Sequence, residues 1–178
     1  MNILNIFKSG GIAAGIIFGL IICWIIFKFA NSNHKAKTDY DERQKEIRGN
    51  GYQAAFYTLT VYEAVMVVLS FGDFQLPVEP YIIHAAGIFL SCTVLACYCV
   101  WKGAYWGLNN NRTRYYIFFV LMIVFNAIPV IGSISRGGMY ENGKLSFPFV
   151  NLMAVIMLAA IGIVMLLRNS LDQNSKED

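Results

Sequence analysis

Apolar residues fall into five long runs, Gly11 to Phe29, Ala54 to Phe71, Tyr81 to Trp101, Tyr115 to Ile134 and Phe147 to Leu167, with short polar segments between them. A hydrocarbon core about 30 Å thick requires roughly 20 apolar residues per helical crossing, and each run meets that requirement. The pattern predicts an all-α membrane protein, a five-transmembrane-helix bundle that uses most of the 178 residues. It leaves no room for a separate soluble domain. The first run is too long for the core of a signal peptide and lacks a clear small-x-small cleavage site, so it is expected to remain as the first helix.

Charge placement then orients the bundle. Apart from Lys8, Arg136 and Lys144, every Lys and Arg lies in or beside the first, third or last polar segment. Inward-facing loops retain basic residues, so the N-terminus is expected outside, the Lys35 to Arg48 segment inside and the C-terminus inside. Trp101, Tyr105, Trp106, Tyr115 and Tyr116 around the third segment mark the inner interface independently. In the segment 38–49, Thr38 or Asp39 can cap a short surface helix, and Asp39 with Arg43 or Asp41 with Lys45 are spaced for helical ion pairs. That helix is expected to end at Gly49-Asn50-Gly51, before the second crossing. Its mixed charges exclude a nucleic-acid surface, and Asp41, Glu42 and Arg43 are the candidate docking residues for a cytoplasmic partner. The polar tail 169–178 is expected to be disordered.

Gly11, Gly15 and Gly19 recur every fourth residue and predict a face for close helix packing, within the chain or against a second copy. Asn142-Gly143 predicts a two-residue hairpin turn in the fourth connection. Four cysteines fall inside predicted crossings without the spacing of a zinc or dithiol site, so no metal or cofactor is expected.

The costliest residue inside the membrane is Glu63, and Gln53, Thr60, Glu63 and Ser70 share one helical face that should point into the bundle. Counting depth along each helix puts Glu63, Ser91 and Asn126 near the midplane, with His84 and Asn151 nearer the outside. A neutral Glu63 hydrogen-bonded to Asn126 or Ser91 is the expected state. A direct pair with His84 is not expected, because their depths should differ by roughly 10 Å. These five polar residues are the candidate ion or polar site. His34 and His84 are placed on opposite sides, and no nucleophile, metal-hydrolase or phosphate-loop motif occurs, so no catalytic residues are assigned.

Tyr40-Asp-Glu-Arg-Gln44, then Arg48-Gly49 and Ala55-Phe-Tyr-Thr58, with Ser135 to Leu145 and Asn151-Leu152 further on, resemble a family of small uncharacterised bacterial integral membrane proteins. The resemblance implies a multi-pass protein of the bacterial cytoplasmic membrane and no particular activity. The sequence therefore leads to a non-catalytic accessory, regulatory or interaction protein in the lipid bilayer, acting as a homo-oligomer or with a membrane or cytoplasmic partner. The alternative is a small transporter or channel for protons or cations that uses Glu63.

Overall fold

A computed structural model describes residues 3–35, 37–72 and 76–174, and the side chains of 17–35, 37–72 and 76–172. In chain order the elements are α1 (Ile3–Ala30), α2 (Glu42–Phe71), α3 (Pro80–Trp101), α4 (Arg112–Ser135), β1 (Tyr140–Glu141), β2 (Lys144–Leu145) and α5 (Pro148–Asn174). Among the described residues, α2, α3, α4 and α5 are long and apolar enough to cross a membrane. The part of α1 with described side chains, Ile17–Ala30, is a shorter apolar helix.

The helix borders differ from the sequence reading in two instructive places. No separate surface helix precedes α2. Instead α2 starts at Glu42 and runs unbroken through Gly49-Asn50-Gly51, for 30 residues. Its cap is Asp41, whose side chain accepts from Gln44 N at 2.7 Å while Gln44 Oε1 accepts from Asp41 N at 3.3 Å. With the cap there, Asp39 lies outside the helix and the Asp41 carboxylate is already engaged, so neither expected ion pair forms. Gly51 is buried against Leu95, Tyr98 and Cys99 of α3, so this glycine gives close approach rather than a turn. At the other end of the chain α5 continues to Asn174, with Arg168 bonded to Asp172 one turn on at 2.9 Å. Such a pair supports a helix over 169–174, where a disordered tail was expected, and 175–178 of that tail lie outside the described residues.

The chain divides into two compact units, one formed by the residues up to Asp39 with Gly107–Phe118, the other by Tyr40–Trp106 with the described residues from Phe119 onward. In the first unit, asparagines hold the two connections together. Asn31 is fully buried at the end of α1, donates to Lys35 O at 2.7 Å, and accepts from Asn110 Nδ2 at 2.7 Å and the Tyr115 hydroxyl at 2.9 Å. Asn109 accepts from Asp39 N at 2.8 Å and donates to Lys37 O at 3.0 Å. Arg114 Nη1 donates to Phe29 O at 2.9 Å, placing a cation at the negative end of α1.

In the second unit α3 packs against both α2 and α5. The antiparallel α2–α3 contact is built on small residues. Gly51 meets Cys99, Ser91 Oγ donates to Ala55 O at 2.9 Å, and Gly87 meets Tyr62. Close backbone approach of this kind is how membrane helices associate without a hydrophobic drive between them. On the α5 side, Val100, Ile161 and Met165 form a buried cluster. The β1–β2 hairpin has the expected turn, with φ of 52° at Asn142 and 78° at Gly143, the positive pair that a tight hairpin of this twist needs.

Of the packing face Gly11, Gly15, Gly19, the surroundings of Gly11 and Gly15 lie outside the described residues. A Cβ on Gly19 would meet nothing within 4 Å, so no other described part of the chain packs over that glycine.

Candidate functional site

The α2–α3 hairpin brings together the two residues that depth counting kept apart. His84 Nδ1 lies 3.1 Å from Glu63 Oε2 and 3.4 Å from Oε1. The 10 Å offset came from counting the two helices from opposite ends. Counted from the connection they share, Glu63 is about two turns below Phe71 and His84 about one turn below Pro80, a difference that two side chains can bridge. Tyr62 fixes the register by donating from its hydroxyl to Ile83 O at 2.8 Å. Gly87 lets Glu63 turn toward α3, because a Cβ there would stand 3.2 Å from Glu63 Oε1 and 2.6 Å from the Tyr62 ring.

The pair borders a cavity of about 500 Å³ at the loop end of the hairpin. Met66, Val67, Leu76, Val78 and Ile83 give it apolar walls, and Ser70 and Lys144 add polar groups. Lys144 arrives from β2, which the second connection holds in place: Leu145 N donates to Pro77 O at 2.9 Å, and Val78 bridges Leu145. The side chain of His84 is 65% exposed and that of Glu63 34%, so the pair is reachable through the cavity rather than sealed in the packing. Among the described residues no group of three or more His, Cys, Asp or Glu is placed to hold a metal ion.

The other expected site residues lie apart from this pair. Ser91 is committed to Ala55 O, and Asn126 donates to Met122 O of its own helix at 2.7 Å. Neither hydrogen-bonds to Glu63. Asn151 sits half-buried in the first turn of α5, with no hydrogen-bond partner among the described residues. The polar stripe of α2 does not point into the bundle as expected. Gln53, Thr60 and Ser70 are exposed, and the face toward α3 is the one carrying Gly51, Ala55 and Tyr62. Thr60 bonds to Phe56 O and Ser70 to Val67 O, which removes the cost that was expected to force them inward.

The candidate docking residues have local partners. Asp41 caps α2, and Arg43 Nη2 donates to Lys102 O at 3.2 Å, just past the end of α3. Gln44 Nε2 donates to Trp106 O at 2.9 Å, and Arg48 stacks 4.2 Å from the Tyr40 ring centroid. The Tyr40 to Gln44 motif is therefore a fastening between the start of α2 and the connection after α3. Glu42 is exposed, and with Lys45, Glu46 and Asn50 it forms an outward face at helical spacing.

Lys144 and Tyr62 escaped the sequence reading. Lys144 was visible only as one of few outer cations, and the hydrogen bond that carries its strand to Pro77 leaves no trace in the pattern. Gly51-x3-Ala55 and Gly87-x3-Ser91 were readable signals for the helix contact beneath the site. No protein-family model, curated protein or solved structure matches the chain.

Proposed function

We propose that this chain is a non-catalytic accessory or regulatory protein of the bacterial cytoplasmic membrane, with a binding site at the Glu63–His84 cavity and a docking face at the start of α2. The observation that carries the reading is that one unbroken helix bears both. At 30 residues α2 is roughly 45 Å long, against about 30 Å of hydrocarbon. A helix of that length overhangs the membrane, and its overhanging turns are the charged ones with Glu42, Lys45 and Glu46. Arg43, Gln44 and Arg48 brace the opposite side, so the outward face is rigid. A ligand that changes the Glu63–His84 pair acts on the same rod that meets the partner.

In this reading α1 is also a crossing, the N-terminus is outside and the C-terminus inside. Basic residues concentrated in the first and third connections support that orientation. The expected family membership is kept on the Tyr40 to Gln44 motif. A second reading, proton or cation transport through Glu63, is favoured by the same acid–imidazole contact, since an ionisable pair at membrane depth is a natural ion site. Packing of Gly51, Ala55, Gly87 and Ser91 closes the seam between α2 and α3 beneath the pair, which favours a site open to one side.

Proton and cation flux in proteoliposomes, wild type beside Glu63→Gln, separates the two. Negligible flux from both is expected, together with a discrete crosslinked product from a photoreactive residue at position 46 in intact cells that is lost on charge reversal of Glu42 and Lys45. Flux that depends on Glu63 would overturn the regulatory reading in favour of transport.

A further inference from the structure

The cavity beside Glu63 and His84 has three ionisable groups in its lining, Glu63, His84 and Lys144. Glu63 and His84 are engaged with each other through Nδ1, and Glu63 is the only hydrogen-bonded partner of His84 among the described residues. Lys144, by contrast, lines the same cavity without an ion pair among the described residues. With Nδ1 turned to the Glu63 carboxylate, Nε2 is the nitrogen left toward a ligand, and it donates to an anion when the imidazole carries a proton on both nitrogens. The polar rim therefore offers one lysine cation and one imidazole, with the carboxylate already satisfied by the latter. Below the rim the walls are aliphatic, from Met66, Val67, Leu76 and Ile83. A cavity of about 500 Å³ falls within the range that encloses small organic molecules.

We infer that this cavity binds a single-chain anionic amphiphile, a carboxylate or phosphate headgroup held by Lys144, with a doubly protonated His84 as second donor, above an alkyl chain lying against the α2–α3 walls. A cationic ligand would face a lysine that has no ion pair among the described residues, and a fully polar one would leave the aliphatic walls without a partner. Burying a charge beside an unmatched like charge is what excludes the first. The inference rests on the reading of this cavity as a ligand site. It adds the class of ligand, which that reading leaves open.

The probes are dodecanoate, dodecanol and acetate, titrated by calorimetry against the full chain in an uncharged maltoside detergent, with dodecyl phosphate as a second anionic headgroup. Dodecanoate and dodecyl phosphate are expected to bind. Dodecanol should bind at least about tenfold more weakly, as should dodecanoate to Lys144→Gln, the loss expected for one charge-assisted contact. Lys144→Arg should restore most of the affinity, and Lys102→Gln, at the far end of α3, should change nothing. Equal binding of dodecanol and dodecanoate, unchanged affinity in Lys144→Gln, or binding of acetate as tight as that of dodecanoate would each overturn the inference. Preference for dodecyl phosphate over dodecanoate assigns the source to phospholipid-like molecules, the reverse to fatty acids. The crosslink from position 46, repeated with saturating dodecanoate, keeps the two claims distinct. Binding without any change in that crosslink leaves the ligand class standing and removes the regulatory reading, whereas no binding beside a Glu63-dependent crosslink does the opposite.

Discussion

Asn31 shows how much a single polar side chain contributes when it is buried with its capacity used. Its amide donates to Lys35 O, and its carbonyl accepts from Asn110 and Tyr115. Removing one partner from a buried network strands the others, at about 1–3 kcal/mol for each unsatisfied group. Asn31→Ala should therefore destabilise the fold by about 2–4 kcal/mol, read as a drop of several degrees in the apparent melting temperature of the detergent-solubilised protein. Asn33→Ala is the matched comparison, exposed, with hydrogen bonds to Asp39 and Asn109 at 3.2 and 3.1 Å, and should cost well under half as much. An equal loss from both would mean that the connection is held by its backbone alone. None of this was legible beforehand. The Asn109-Asn-Asn111 run reads as a polar loop, and its partner asparagine lies far away in the sequence, where no periodicity points to it.

At the scale of the element, α2 explains both what the sequence made legible and what it concealed. The apolar run from Ala54 to Phe71 identified a helix long and apolar enough to cross a membrane, and its C-terminal end agrees with the structure. The N-terminal end was misplaced because Gly49 and Gly51 are identical in type and different in circumstance. A Cβ on Gly49 would meet nothing within 4 Å, while on Gly51 it would stand 3.1 Å from Leu95 and 3.2 Å from Tyr98. Turn propensity is a local prior, and here a long-range contact overrides it. The two substitutions should consequently diverge. Gly49→Ala removes backbone entropy from the unfolded chain at no steric cost and should stabilise by about 0.5–1 kcal/mol. Gly51→Val must push α3 away and should destabilise by about 1–3 kcal/mol, the usual range for overpacking. Thermal unfolding of the two variants side by side checks the sign of each, and a destabilised Gly49→Ala would indicate a break in α2 at the very place where one was first expected. The Glu63–His84 pair was concealed for a related reason. Both residues were legible as polar outliers, yet their contact depends on where the shared connection clamps the two helices.

For the whole molecule, the test is whether the connections alternate across a membrane. Within the first unit the first connection bonds to the third, through Asn31 with Asn110 and Ser32 with Asn109. Within the second, the second connection bonds to the fourth, through Leu145 with Pro77. Odd with odd and even with even is the pairing that a chain crossing a membrane at every helix must have, because a connection can reach only others on its own side. The pairing needs α2, α3 and α4 each to cross, because α2 and α3 separate the first connection from the third and α3 and α4 separate the second from the fourth; the placement of α1 does not enter it. The orientation we propose rests on the charges: Lys35, Lys37, Lys102, Arg112 and Arg114 belong to the odd pair, Arg136 and Lys144 to the even one. Single cysteines in a background without Cys23, Cys92, Cys97 and Cys99 would read this out, labelled with a membrane-impermeant maleimide on intact spheroplasts. Gly138→Cys should label before lysis, while Lys35→Cys and Asn110→Cys should label only after it. Labelling of Lys35→Cys and Asn110→Cys before lysis, with Gly138→Cys protected, would invert the molecule and place the charged face of α2 outside, removing any cytoplasmic partner. Opposite behaviour of Lys35→Cys and Asn110→Cys would be more damaging. It would set the two halves of the asparagine clasp on different sides of the bilayer, and no fold with those hydrogen bonds could satisfy it.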